Sequence, residues 1–251
     1  MVDKQDIAIL YSGGKDSLAL YAIAAFGAHP EVPKARNIHL LHMLNGMGRF
    51  HDWPKKRYET ASKILQKRVP LTEEPLKSTY IELDVGRLFQ GLWLDWYEDL
   101  MPKYGGKNLV CVACKLAMHT KAILYCIENY VPLLLVGYTK KQAFYPEQTP
   151  VFMEKVKELS DYFGIKTLFP LYEEFDNKDT CRHFLEEFGL PSTGGGERKC
   201  LFCQTKTSAT EKEISQYMDD MIPLIKQYMS MKIDKDIKGA AECFPPGVPL
   251  K

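Results

Sequence analysis

Short apolar runs alternate with longer segments in which apolar residues recur every three or four positions, and this alternation organises most of the chain. The run Ile7-Ala8-Ile9-Leu10-Tyr11 predicts a first strand over residues 6–11, and Leu18 to Phe26 continue a helix that begins near Asp16. A second strand is expected over residues 37–43, then a helix from Pro54 to Arg68 with proline in its first turn, then a third strand from Tyr80 to Val85. Leu88, Leu92, Trp96 and Leu100 share one helical face, which predicts a single helix over residues 86–104. Further on, the pattern predicts a helix from Cys111 to Tyr130, a buried strand over 131–137, a helix over 147–163 and a strand over 165–171. A helix through Phe188, capped by Asp176 or Asn177, and a last helix over 210–229 complete the series. Alternating strands and helices favour a doubly wound α/β fold, with a five-stranded parallel sheet covered on both faces and ligands at the carboxyl ends of its strands. Residues 1–207 are expected to form this domain, and residues 208–251 a C-terminal helical extension and tail.

The turn between the first strand and first helix carries the sharpest chemistry. It reads Ser12-Gly13-Gly14-Lys15-Asp16-Ser17. Glycines there can take positive φ and let the backbone approach an anion, while unpaired amides at the helix start converge beside the positive end of its dipole. Ser12 and Ser17 add hydroxyls and Lys15 adds a compact positive charge. Asp16 would repel phosphate unless it caps the helix or holds a Mg2+ ion that bridges the phosphates. The spacing is not that of the Walker loop, which needs Gly-x-x-x-x-Gly-Lys-Ser/Thr.

Composition narrows the setting. The chain has 251 residues, 45% hydrophobic and 26% charged, enough to bury a sizeable core. No signal-peptide pattern and no run of membrane-spanning length is evident, so no membrane association and a cytoplasmic location are expected. A net charge of +1 gives no global attraction to nucleic acid, so RNA contact would rest on local patches. Seven cysteines in such a setting argue for metal or redox chemistry rather than a disulfide framework.

Four of those cysteines form two C-x-x-C units, Cys111 with Cys114 and Cys200 with Cys203. Two sulfurs from one turn can bind the same ion, and two such units complete a tetrahedral set. Spacing does not separate Zn2+ from an iron–sulfur cluster, since both accept four thiolates.

The hexapeptide at residues 12–17 resembles the loop of the PP-loop ATP pyrophosphatases, whose pattern Ser-Gly-Gly-x-Asp-Ser it matches at every fixed position. The resemblance implies ATP with Mg2+, cleavage between the α and β phosphates, and a sheet of strand order 3-2-1-4-5. It further implies that His42-Met43-Leu44 lies against the adenine and that Gly137-Tyr138-Thr139 faces the same pocket. The order of loop, C-x-x-C, Pro170-Leu171 and second C-x-x-C looks like the tRNA 2-thiocytidine synthetases and their thiouridine relatives. By that likeness Cys111, Cys114 and Cys200 would hold a [4Fe-4S] cluster, with Cys203 a fourth ligand, a sulfur carrier or a bystander. The implied activity is an AMP-forming sulfurtransferase acting on a tRNA base or a small carbonyl compound with a sulfur donor, Lys15 and Asp16 serving catalysis. After the fourth strand those enzymes carry Gly-His and acidic residues, where this chain has Gly137-Tyr138-Thr139-Lys140-Lys141-Gln142. The alternatives are a PP-loop ligase or amidase resembling 7-cyano-7-deazaguanine synthase with structural zinc, and an ATP-binding regulator without turnover. A homodimer is compatible with the sequence.

Other features have plainer readings. The basic helix with Lys55, Lys56, Arg57, Lys63, Lys67 and Arg68 reads as a solvated face, with RNA backbone contact as the alternative, and Trp93, Trp96 and Tyr97 read as core rather than a base-stacking platform. Cys126 and Cys181 read as packing residues, and His119 as exposed on its helix rather than near the metal site.

Overall fold

The computed structural model describes residues 4–48, 52–105, 107–175, 177–192, 200 and 209–235. Five parallel strands pair in the order 3-2-1-4-5. Strand β1 (Ile7–Leu10) lies at the centre and is followed by α1 (Lys15–Phe26). Strand β2 (Ile38–Leu44), α2 (Asp52–Gln66) and β3 (Ser78–Asp84) extend the sheet to one side. The chain then crosses through α3 (Gly86–Leu92), α4 (Tyr97–Lys103) and α5 (Val110–Glu128). On the other side β4 (Leu133–Leu135), α6 (Pro150–Tyr162) and β5 (Lys166–Leu168) follow, then α7 (Lys178–Glu187) and α8 (Glu211–Ile233).

Alternation along the strands divides the core between two faces. Ile7 and Ile9 point to one side with Leu40, Leu133 and Leu135, where α1, α2 and α7 bury Leu20, Ala61 and Leu185. Ala8, Leu41 and Leu134 point to the other, where α3, α5, α6 and α8 bury Phe89, Ile123, Phe152 and Met218. Helix α1 is buried from Ser17 through Ala25, so it is the hub of its layer. It stops at Gly27, whose left-handed φ of 64° lets its N–H return to the Ile23 carbonyl. Helix α5 is, among the described residues, the one long and apolar enough to cross a membrane; here it packs against β1, α3 and α8. Helix α8 starts on a capping box between Thr210 and Glu213 and joins the same core through Ile214, Tyr217 and Met218.

The single helix expected over residues 86–104 is instead broken. Trp93, fully buried, packs edge-on against Tyr217 with ring centroids 5.7 Å apart. The Tyr217 hydroxyl donates to the Leu92 carbonyl at 3.0 Å, the acceptor that a continuing helix would use itself. A short 3-10 turn, Leu94–Trp96, fills the gap before α4. The helix expected over 147–163 starts later, because Thr149 caps it by accepting from the Phe152 N–H and Pro150 takes its first position. Asn177 caps α7, accepting from the Asp179 and Thr180 N–H groups.

Candidate active site

The hexapeptide at residues 12–17 stands at the carboxyl end of the central strand, where the fold brings strand ends and helix starts together. The Tyr11 N–H still bonds the Leu41 carbonyl at 2.8 Å, so the turn leaves directly from the sheet. Gly13 has φ of 76°, and a Cβ there would fall 2.8 Å from the Pro54 Cα and 3.0 Å from the Trp53 ring. Only glycine meets both conditions. The turn is braced internally: the Gly14 N–H donates to the Ser12 hydroxyl at 3.2 Å, and the Ser17 hydroxyl donates to the Gly14 carbonyl at 3.0 Å. Gly14 is the N-cap of α1 without a side-chain cap bond, so Asp16, in the first turn, is not the helix cap.

The segment just past β4 reaches the same loop. A Cβ on Gly137 would lie 3.3 Å from the Asp16 backbone and 3.4 Å from the Ser17 nitrogen, so this glycine permits strand and loop to touch. Tyr138 and Thr139, expected to face a nucleotide pocket, are instead buried at 4% and 0% exposure. The Tyr138 hydroxyl is 3.0 Å from His119 Nε2. His119 is therefore a core residue and not an exposed one. Phe152 and Phe169 surround it, and burial, aided by Lys115, pushes its pKa down to about 3, so the imidazole is neutral. Met43 is buried in the layer between the sheet and α5.

The cysteine side is assembled differently. Cys111 and Cys114 occupy the first turns of α5, half-buried and free of disulfides. The Asn45 side-chain amide, just past β2, donates to the Cys114 sulfur at 3.2 Å, and the Met47 N–H donates to the Asn45 Oδ1 at 3.1 Å, holding that side chain. Cys200, also half-buried and without a disulfide, is in an antiparallel backbone bridge with Gly48. Cys114 and Cys200 lie close enough for their charges to interact. Burial pushes the Cys114 thiol up, and the Asn45 amide opposes that shift. Glu147, nearly fully buried beside this region, has its carboxyl raised by burial, with Lys115 opposing.

The donor set suits a soft metal centre: thiols from one helical turn, a third from a separate segment, and an amide directed at a sulfur. Among the described residues, no three His, Cys, Asp or Glu side chains already stand in a metal-holding group. Cys203, the fourth expected ligand, lies outside the described residues. A shallow cleft of about 530 Å³ runs along α7 past Phe175, Thr180 and His183, and neither the loop nor the cysteines line it.

Sequence reasoning missed four members of this region. Asn45 gave no signal beyond its place after a strand; Trp53 and Pro54 cover Gly13 from the start of α2; and Cys181 donates to the Asp16 carboxylate at 3.6 Å.

No protein-family model matches the chain, and no curated protein matches it either. Among solved structures it is similar to the U34-tRNA thiolase NcsA from Methanococcus maripaludis, determined with its [4Fe-4S] cluster. The TM-score is 0.48 at 16% identity, over 93% of this chain and 72% of that one.

Proposed function

We propose that this protein is an ATP-dependent sulfurtransferase of the PP-loop type, activating a carbonyl as its adenylate and replacing the oxygen by sulfur. The observation that carries the reading is the shared edge of the sheet. The loop at residues 12–17 leaves the end of β1, while Asn45 and Gly48, just beyond the end of neighbouring β2, meet Cys114 and Cys200.

In this reading the loop amides, Ser12, Gly13, Gly14 and Ser17 hold the phosphates of ATP, and Asp16 holds its Mg2+. The acceptor's carbonyl oxygen attacks the α-phosphate, and Lys15 with the loop amides stabilises the charge on departing pyrophosphate. Activation is needed because an oxygen bound to carbon leaves poorly, whereas AMP leaves well. Gly137 lets β4 support the loop at Asp16, and Met43 belongs to the buried floor beneath the strand ends. Cys111, Cys114 and Cys200 would hold the [4Fe-4S] cluster, which when bound supplies an iron able to carry the incoming sulfur. Asn45 orients the Cys114 sulfur. The acceptor is a tRNA base or a small carbonyl compound.

The test is anaerobic purification with iron, sulfide and zinc analysis, alongside pyrophosphate release. Iron and sulfide in cluster stoichiometry, retained in Lys15→Ala while its pyrophosphate release is lost, is the expected result. Stoichiometric zinc without iron overturns thiolation in favour of a ligase or amidase. Undiminished pyrophosphate release in Lys15→Ala overturns the loop assignment.

A further inference from the structure

On the reading above Asp16 is the carboxylate that meets the nucleotide's metal, and its surroundings single out a residue far outside the motif. Asp16 sits in the first turn of α1 without capping it. Helix α7 approaches it from the side, and Cys181 Sγ lies 3.6 Å from Asp16 Oδ1 with the thiol as donor. Cys181 is 1% exposed and packed in the layer of α1 and α2, while Asp16 is half-buried, so the contact is reached from the core side of the loop. Its backbone is fixed as well. The Asn177 cap orders the start of α7, and Lys141, from the segment after β4, donates to the Asn177 carbonyl at 3.4 Å.

A carboxylate on the first turn of a helix can rotate among staggered positions, and a metal-binding role requires one of them. A carboxylate turned to another of these positions would cost affinity only when the metal is present. We propose that Cys181 is a positioning residue, whose thiol holds the Asp16 carboxylate in the orientation that receives Mg2+ on the bound nucleotide. The role rests on the nucleotide reading and acts through Asp16 alone. It differs from packing, because a packing residue would affect the loop whether or not metal is present.

The experiment measures ATP affinity of the full chain by calorimetry, with Mg2+ and again in EDTA. Cys181→Ala is expected to weaken Mg2+–ATP binding about fivefold, the worth of one modest hydrogen bond, and to leave binding in EDTA unchanged. Cys181→Ser, which keeps a donor, restores most of the difference. In an Asp16→Asn background the further change Cys181→Ala has no effect. If Cys181→Ala does not fold, Cys181→Val fills the site without a donor and carries the same expectation. Equal weakening with and without Mg2+, a serine variant no better than alanine, or additivity with Asp16→Asn each overturns the proposal. Failure of the unmodified chain to bind ATP at all overturns the nucleotide reading instead. An unmodified chain that binds Mg2+–ATP, with Cys181→Ala indifferent, overturns only the role of Cys181.

Discussion

The side formed by the loop at residues 12–17 and the cysteine side of this molecule sit on neighbouring strand ends but are built on opposite plans. The loop is one contiguous turn, braced by its own serines, with Pro54 and Trp53 against Gly13 and β4 against Asp16. The cysteine side is gathered from three separate stretches: the first turns of α5, Asn45 with Gly48 after β2, and Cys200. A contiguous turn is specified by local backbone geometry and tolerates almost no added atom. A gathered set depends on long-range pairing and tolerates more change at each contributor. Damage to the loop should therefore cost fold and binding together, whereas damage to the cysteine side should be chemically specific.

The largest break is expected at Gly13. Gly13→Ala combines left-handed strain with overlap onto the Pro54 backbone and should cost about 4 kcal/mol in urea unfolding, with loss of ATP binding. A cost under about 1 kcal/mol would mean that the loop is not braced as described. The next effect is pH-dependent and belongs to the buried layer behind β4. His119 is held neutral with a folded pKa of about 3, against an ordinary value of 6.5. The unfolded chain therefore binds a proton that the folded chain refuses, and stability falls as pH drops from about 6.5 toward 3. The loss attributable to His119 should reach about 3 kcal/mol near pH 4. His119→Gln should flatten that part of the pH profile in thermal unfolding; an unchanged profile would rule out His119 as its source.

Smaller effects sharpen the contrast. Gly137→Ala meets backbone at 3.3 Å, so β4 and the loop must separate slightly, costing about 1–2 kcal/mol and weakening ATP binding without disturbing metal content. Asn45→Ala should do the converse. It removes the amide on Cys114 and is expected to lower metal retention about tenfold against a chelator, with stability changed by no more than about 1 kcal/mol and ATP affinity unaltered. If Asn45→Ala instead abolishes ATP binding, the two sides are not separable.

The contrast also explains what could be read from the chain. The central strand, its glycine turn and α1 were legible because the signals are contiguous: an apolar run, the sequence Ser12 to Ser17, and an apolar helix. The strand order agrees with the expectation drawn from that loop. The break at Trp93 was hidden because its cause, the Tyr217 hydroxyl on Leu92, comes from a helix more than a hundred residues later. His119 was misplaced for a related reason: its polar atom finds Tyr138 in the core, a partner that helical periodicity does not reveal. Cys181 was rightly placed in the core, but its contact with Asp16 joins residues that no local pattern relates. Asn45 followed the same rule.

The bridge between Gly48 and Cys200 has a practical consequence. The pairing is made by main-chain atoms, so the identity of the side chain at position 200 is not what joins the two segments. Position 200 is thus a natural socket for chemical substitution: selenocysteine for a softer donor, histidine for a harder one. On the proposed metal-site reading, the group at that corner could be retuned as an engineering variable while the main-chain pairing that presents it stays in register.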